Sequence, residues 1–201
     1  MQGMTVDAAL LKTPQRLELG ERLIAEPAHP AQADELQALV IRNRAQLARY
    51  LPGAAKLVTR EQVTLHFLHL EQQRHAGQLL EWALYFEGRL CGSLRLNYID
   101  LTIGKAGLGY FLDADLQGRG LMTRAVQGVL TYAFTQLGFN RIELCHAIDN
   151  LASRRVAERA GFIYEGTLRQ AERNDSGLVD MCVHSMLRRE WQARRGEGVT
   201  N

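Results

Sequence analysis

Apolar positions along this chain switch between two periods. Residues 79–86 and 89–99 alternate every second position around a Glu87-Gly88 turn, which predicts an antiparallel hairpin. Elsewhere the spacing is helical. Leu36, Leu39, Val40 and Leu47 make one stripe, which halts around Tyr50-Leu51-Pro52-Gly53. Val63, Phe67 and Leu70 make another, opened by Thr59 and Gln62 as a capping box. A third runs through Met122, Ala125, Val126, Val129, Ala133 and Leu137, and Gly138 supplies its stop. Further strands are expected over 17–26, ended by Pro27 and Pro30, and over 141–148. A helix then reaches Ala160, and a final hairpin turns through Asn174-Asp175-Ser176-Gly177. This order of elements predicts an α/β (α+β) fold in a single domain over 15–190, with a loose segment over 1–14 and a tail over 191–201.

The junction over 109–120 carries the most chemistry. A strand runs into a turn, Gln117-Gly118-Arg119-Gly120, that opens directly onto the third helix. The first N–H groups of a helix have no partner inside it, and the helix dipole adds partial positive charge there. Gly118 and Gly120 let the main chain approach a ligand closely, while Gln117 and Arg119 add donors, so the junction is a candidate phosphate site. A tight turn without a ligand uses the same residues. Neither the Walker nor the dinucleotide spacing is present.

The next third of the chain narrows the choice. After the helix come a strand, Asn150-Leu151-Ala152-Ser153, a helix, Ala160-Gly161-Phe162 and Glu165-Gly166. In that order, over roughly residues 90–187, the chain resembles the GNAT superfamily of acyl-CoA-dependent N-acetyltransferases, in its RimJ/RimL-like branch, which acetylates protein N-termini. The resemblance implies a mixed, mainly antiparallel sheet flanked by helices, with a splayed central strand pair. It implies acetyl-CoA as co-substrate and no metal. The pyrophosphate motif falls on Gln117, Gly118, Arg119, Gly120, Leu121 and Met122, with Met122 standing where the family has Gly or Ala.

By the same resemblance the thioester arm lies along Tyr110, Phe111 and Leu112, beside a bulge that Gly109 suits. A backbone N–H near Phe111 or Leu112 then faces the thioester oxygen, where a fixed donor needs no reorganisation as charge develops. Asn150 is implied to hold the arm or the substrate, and Ser153 to give a proton to a thiolate of pKa about 8.5. Either residue alternatively serves only as a helix cap. Many relatives have Glu in the pre-bulge strand, in a pattern like Ala-Glu-Ile-Gly-Tyr; this chain reads Ala106-Gly107-Leu108-Gly109-Tyr110. Glu172 is the substitute base, acting through water on an α-amine of pKa about 8. A strand-edge carboxylate facing solvent is the other reading of Glu172.

Composition removes other classes. The chain has 201 residues, 46% hydrophobic and 23% charged, enough for one core. A formal charge of +2, with no basic run interleaved with aromatics, argues against a nucleic-acid partner. Arg188, Arg189, Arg194 and Arg195 read as a solvated tail. No apolar run reaches the roughly 18 residues of a membrane span and no signal-peptide pattern is seen, so the cytoplasm is expected. Cys91, Cys145 and Cys182 read as reduced core thiols. His66 and His69 lack a third metal ligand, and His146 and His184 fall in strands that the family's sheet order makes neighbours. The acceptor is expected to be the N-terminal α-amine of a protein or peptide. A small amine such as a polyamine, aminoglycoside or amino acid is the alternative, as is non-catalytic acyl-CoA binding. Exposed edge strands and the resemblance point to a homodimer.

Overall fold

The alternation over 79–99 becomes β3 (Leu80–Phe86) and β4 (Arg89–Asp100), joined by a turn in which Glu87 and Gly88 both have positive φ. Around this hairpin the computed structural model, which describes residues 6–174 and 177–196, builds one eight-stranded sheet. On one side lie β2 (Leu23–Pro27) and β1 (Leu17–Glu18); on the other lie β5 (Lys105–Leu112), β6 (Arg141–Ala147), β8 (Gly177–Leu187) and β7 (Ile163–Asn174), in that spatial order. Every neighbouring pair is antiparallel except β5 and β6. The mixed, mainly antiparallel sheet flanked by helices is as the resemblance implied.

Helices cover both faces because strand side chains alternate. On one face Trp82, Leu94, Leu96 and Leu108 pack with Ala125, Val126 and Val129 of α4 (Leu121–Thr135), with α5 (Leu151–Ala160) alongside. On the other, Ala83 and Leu90 pack with α1 (Ala33–Arg42), α2 (Arg44–Tyr50) and α3 (Arg60–His75) through Leu39, Val40, Leu47, Val63 and Phe67. The Thr59–Gln62 capping box opens α3 as expected, with Gln62 N donating to Thr59 Oγ1 at 3.2 Å.

Several expectations need correction. The run over 17–26 is two strands, because Gly20, Glu21 and Arg22 all turn through positive φ. The stripe from Leu36 to Leu47 is two helices, broken at Asn43, whose amide donates to Leu39 O at 2.9 Å and to Asp113 Oδ1 at 3.1 Å. Of the segment expected to be loose, Val6 and Leu11 are buried in the core and Leu10–Lys12 form a 3-10 turn, while residues 7–9 and 12–13 are exposed. Residues 1–5 lie outside the described residues, as do Asp175 and Ser176 of the last turn and 197–201 of the expected tail. The tail's described part is α6 (Arg188–Gly196), where Trp191 packs on Phe134 with ring centroids 5.6 Å apart. Arg188 is no solvated tail residue either, since its guanidinium donates to Phe139 O at 2.7 Å. Among the cysteines only Cys91 is buried; Cys145 is exposed and Cys182 is intermediate.

Asp113, 1% exposed, ties the helix break to the end of β5. It accepts from Arg42 Nε at 2.8 Å and Arg89 Nη2 at 3.0 Å, while Asn43 Oδ1 takes the N–H of Ala114 at 2.9 Å. Burial pushes the Asp113 carboxyl up, but Arg42, Asn43 and Arg89 outweigh it and hold it below the usual carboxylate range. Asp113→Ala removes the acceptor shared by the buried Asn43 amide and the exposed guanidiniums of Arg42 and Arg89, and should cost roughly 1–3 kcal/mol in urea unfolding. Because the folded pKa is depressed, the wild-type advantage is complete above about pH 4 and fades as pH falls through the folded value. An advantage that instead grows on acidification would refute this assignment.

Candidate active site

β5 and β6 pair only at Lys105↔Arg141, Ala106↔Ile142 and Gly107↔Glu143, and then separate. From Leu108 to Leu112, β5 leaves its β6-facing edge unpaired, and a wedge opens in the middle of the sheet. The cleft built on that wedge has a volume of about 820 Å³ and is lined from both faces of the sheet. The splayed pair is therefore present. The bulge is not at Gly109, however, since β4 and β5 stay in register from Gly92↔Leu112 to Asn97↔Gly107. It falls on β4 between Asn97 and Asp100, where Tyr98 has φ +48°.

At one end of the cleft the turn after β5 delivers the N-terminus of α4. Gly118 and Gly120 have φ of +77° and +76°, angles that favour glycine, and a Cβ on either would meet no atom within 4 Å. The main chain is thus bare on its open side. Gly120 is the N-cap, and no side chain caps this helix. Its O accepts the first intrahelical bond, from Arg124 N at 3.1 Å, so the earlier N–H groups are left for a ligand. Bare main chain and unpartnered N–H groups at a helix N-terminus are what a pyrophosphate requires. Met122 does not fill it: its side chain is 5% exposed and packs in the core, so the departure from Gly or Ala leaves the approach open.

Tyr110, Phe111, Leu112, Gln117, Gly118, Gly120, Leu121, Met122, Asn150, Ser153 and Glu172 all line this one cleft. Arg119 is exposed and does not line it. Asn150 caps α5, its Oδ1 accepting the N–H of Ser153 at 3.1 Å. The Ser153 hydroxyl takes no part in that cap and instead lies 2.8 Å from the hydroxyl of Tyr110. Burial above all pushes Tyr110 up to about 12, with the Ser153 bond opposing, so the phenol holds its proton at neutral pH.

The carboxylates stand on the opposite strands. Glu172 is exposed on β7, just after an irregularity that includes Gln170 at φ +51°. Where the resembling pattern has a glutamate, the space beside Gly107 is taken by other side chains: a Cβ there would meet Asn97 Oδ1 at 2.7 Å and Tyr98 Cδ2 at 3.2 Å, so a side chain at 107 requires Asn97 to turn away. The residue that sequence reading missed is Glu143, which lines the cleft in register with Gly107 on β6. It is held by Arg141 Nε at 2.9 Å and Lys105 Nζ at 3.5 Å. Its alternation into the cleft was the available signal. Cys145 also opens onto the cleft, yet partial burial of its sulfur, and then the charge of Glu143, raise its thiol above the ordinary range, which suits an unreactive thiol.

His146 and His184 are neighbours, with rings stacked at 5.1 Å. Among the described residues no group of His, Cys, Asp and Glu is arranged to hold a metal ion, and no helix is long and apolar enough to cross a membrane.

Comparison with known proteins points the same way as the cleft. The acetyltransferase (GNAT) domain family matches residues 22–163. The putative ribosomal N-acetyltransferase YdaF of Bacillus subtilis is 30% identical over 179 residues, covering 89% of this chain and 98% of that protein. The ribosomal-protein-serine acetyltransferase of Escherichia coli is 30% identical over 118 residues, 59% of this chain and 64% of its own length. Among solved structures, RimL, a ribosomal L7/L12 α-N-protein acetyltransferase in complex with coenzyme A, superposes with a TM-score of 0.83 at 24% identity, covering 86% of this chain and 98% of that one.

Proposed function

This chain belongs to the acetyltransferase (GNAT) domain family and is an acetyl-CoA-dependent N-acetyltransferase; we propose that its acceptor is the N-terminal α-amine of a protein, a ribosomal protein by the names of its relatives. The observation that carries this reading is that one cleft joins the bare α4 turn to Glu143 and Glu172, so donor and amine enter from opposite faces of the sheet.

Acetyl-CoA, when bound, supplies the activated acetyl group. The α4 turn takes its diphosphate, and the unpaired edge of β5 from Leu108 to Leu112 offers backbone groups to its arm. A backbone N–H near Phe111 or Leu112 holds the oxyanion as the amine attacks. The nitrogen must shed a proton. Glu172, exposed and adjacent to water, accepts it through solvent, with Glu143 the nearer carboxylate to Gly107. An α-amine, at about 8, is partly neutral at pH 7, whereas a lysine amine, at about 10.4, needs more help. Ser153 gives its hydroxyl proton to the departing thiolate and is reprotonated from solvent, which holds the proton shed by the amine. The reading carries with it a cytoplasmic location, and a homodimer through the β7 edge, where Ile163, Tyr164 and Leu168 are exposed; sedimentation velocity measures the latter.

Initial rates on peptides with free N-termini, on the same peptides blocked, and on small amines test the acceptor. Free peptides should be preferred, with an inflection near pH 8. Glu172→Gln should lose roughly tenfold at pH 6, where little neutral amine exists, and recover as pH rises. An unchanged pH profile in that variant would remove Glu172 from the proton path, and equal rates on blocked peptides would end the N-terminal reading.

A further inference from the structure

Consecutive residues of a regular strand point to opposite faces of the sheet. Asn97 and Tyr98 of β4 do not. A Cβ on Gly107, the residue paired with Asn97, would meet Asn97 Oδ1 at 2.7 Å and Tyr98 Cδ2 at 3.2 Å, so both side chains converge on one point. The cause is the irregularity between Asn97 and Asp100, where Tyr98 takes φ +48°. A bulge re-aims a side chain in this way, and a left-handed backbone costs free energy in a bulky residue. No burial offsets that cost. Tyr98 is 80% exposed, the highest fraction among the described large apolar side chains. Its side chain makes no hydrogen bond or ring contact among the described residues.

What the ring has is a place. Tyr98, Gly107 and Glu143 all line the main cleft, Glu143 is in register with Gly107, and β5 parts from β6 directly after that pair. The ring therefore stands beside the point where an amine must reach the donor strand. A large ring held in an open cleft at a backbone cost is suited to being covered by a ligand. The amine itself is not its partner, because a π face attracts ammonium and favours the protonated form, whereas attack needs the neutral one. The partner is the group behind the amine. In a peptide that group is planar, like the ring, and packs flat on it by dispersion and release of water. We propose that Tyr98 is an acceptor-binding residue, whose ring is the platform for the peptide unit that follows the reacting amine. The proposal rests on the N-terminal α-amine reading.

The test is steady-state kinetics on one peptide for wild type, Tyr98→Phe, Tyr98→Gly and Tyr98→Asn, with thermal melts and acetyl-CoA affinity by calorimetry. Tyr98→Phe keeps the ring and should stay within about twofold of wild type in kcat/KM. Tyr98→Gly and Tyr98→Asn remove the ring but accept positive φ. Each should lose roughly tenfold or more in kcat/KM, chiefly through KM, while acetyl-CoA affinity holds and the melting temperature does not fall. A ring kept for structure gives the opposite pair of results, a lower melting temperature with the acceptor KM unchanged, and that outcome overturns the proposal. So does a loss in Tyr98→Phe equal to that in Tyr98→Gly, which would give the role to the hydroxyl. If wild type acetylates alkyl amines and no peptide, the N-terminal reading has failed by itself. The platform is then judged on glycinamide against propylamine at equal neutral-amine concentration. Their kcat/KM ratio should fall roughly tenfold in Tyr98→Gly and hold in Tyr98→Phe, and an unchanged ratio in Tyr98→Gly refutes the platform.

Discussion

Gly120→Asp should abolish acetyl-CoA binding in a protein that still folds. A Cβ at Gly120 has no neighbour within 4 Å, so the substitution meets no steric obstacle from the protein itself. Its backbone, at φ +76°, is a conformation that Asp tolerates better than most residues, at a cost on the order of 1 kcal/mol. A carboxylate at the uncapped N-terminus of α4 even recovers part of that cost through the helix dipole. The same carboxylate would sit where the diphosphate must approach. Two like charges about 4 Å apart, at an effective dielectric near 20, repel by about 4 kcal/mol, roughly a thousandfold in affinity. Calorimetry on acetyl-CoA and a thermal melt read the two effects separately. Gly120→Ala, which adds the strain without the charge, should lose far less. Wild-type affinity in a folded Gly120→Asp protein would move the cofactor away from this turn and take the site assignment with it.

That turn was legible in the sequence because everything that makes it is local. Gly118, Gly120 and the periodic stripe of α4 sit within one stretch of chain, and the structure gives both glycines the positive φ that their placement suggested. The 79–99 hairpin was legible for the same reason. What escaped is what distant residues impose. Asn43 reads as one polar position in a helical stripe, and the helix breaks there because Asp113, 70 residues away, pairs with its amide. Glu21 and Arg22 give no hint of positive φ, so the first strand read as continuous across what is a hairpin turn. Arg188 looked like tail because its acceptor, Phe139 O, lies 49 residues earlier. At the site, the position of Gly107 showed that a carboxylate was lacking. It could not show that Asn97 occupies the space a side chain would need, since that contact depends on the irregularity in β4. Tyr110 was legible as part of the donor strand, but its hydroxyl contact with Ser153, 43 residues on, was not.

That contact turns the proton-donor assignment into a sharper expectation. Ser153→Ala should lower turnover by roughly 10²-fold, the low end for losing a positioned proton donor. It should leave α5 intact, because the cap runs from Ser153 N to Asn150 Oδ1 and does not involve the hydroxyl. Asn150→Ala is the converse case, with about 1 kcal/mol of stability lost with the cap. Either hydroxyl can donate in this contact; in the arrangement that serves the proton transfer, the protonated phenol of Tyr110 donates to Ser153 Oγ and the serine proton points at the leaving sulfur. Tyr110 is then a positioning residue. Tyr110→Phe should cost about tenfold in kcat, and the double variant should be no slower than Ser153→Ala alone, since the phenol acts only through the hydroxyl that is gone. A merely structural pair would add its losses and would be indifferent to the leaving group. A donor thioester whose thiol has a low pKa needs no proton on departure, so it should restore most of the rate lost in Ser153→Ala and in Tyr110→Phe. Multiplicative losses, or no rescue by such a donor, would leave Ser153 as packing beneath the arm and send the search for the acid to solvent.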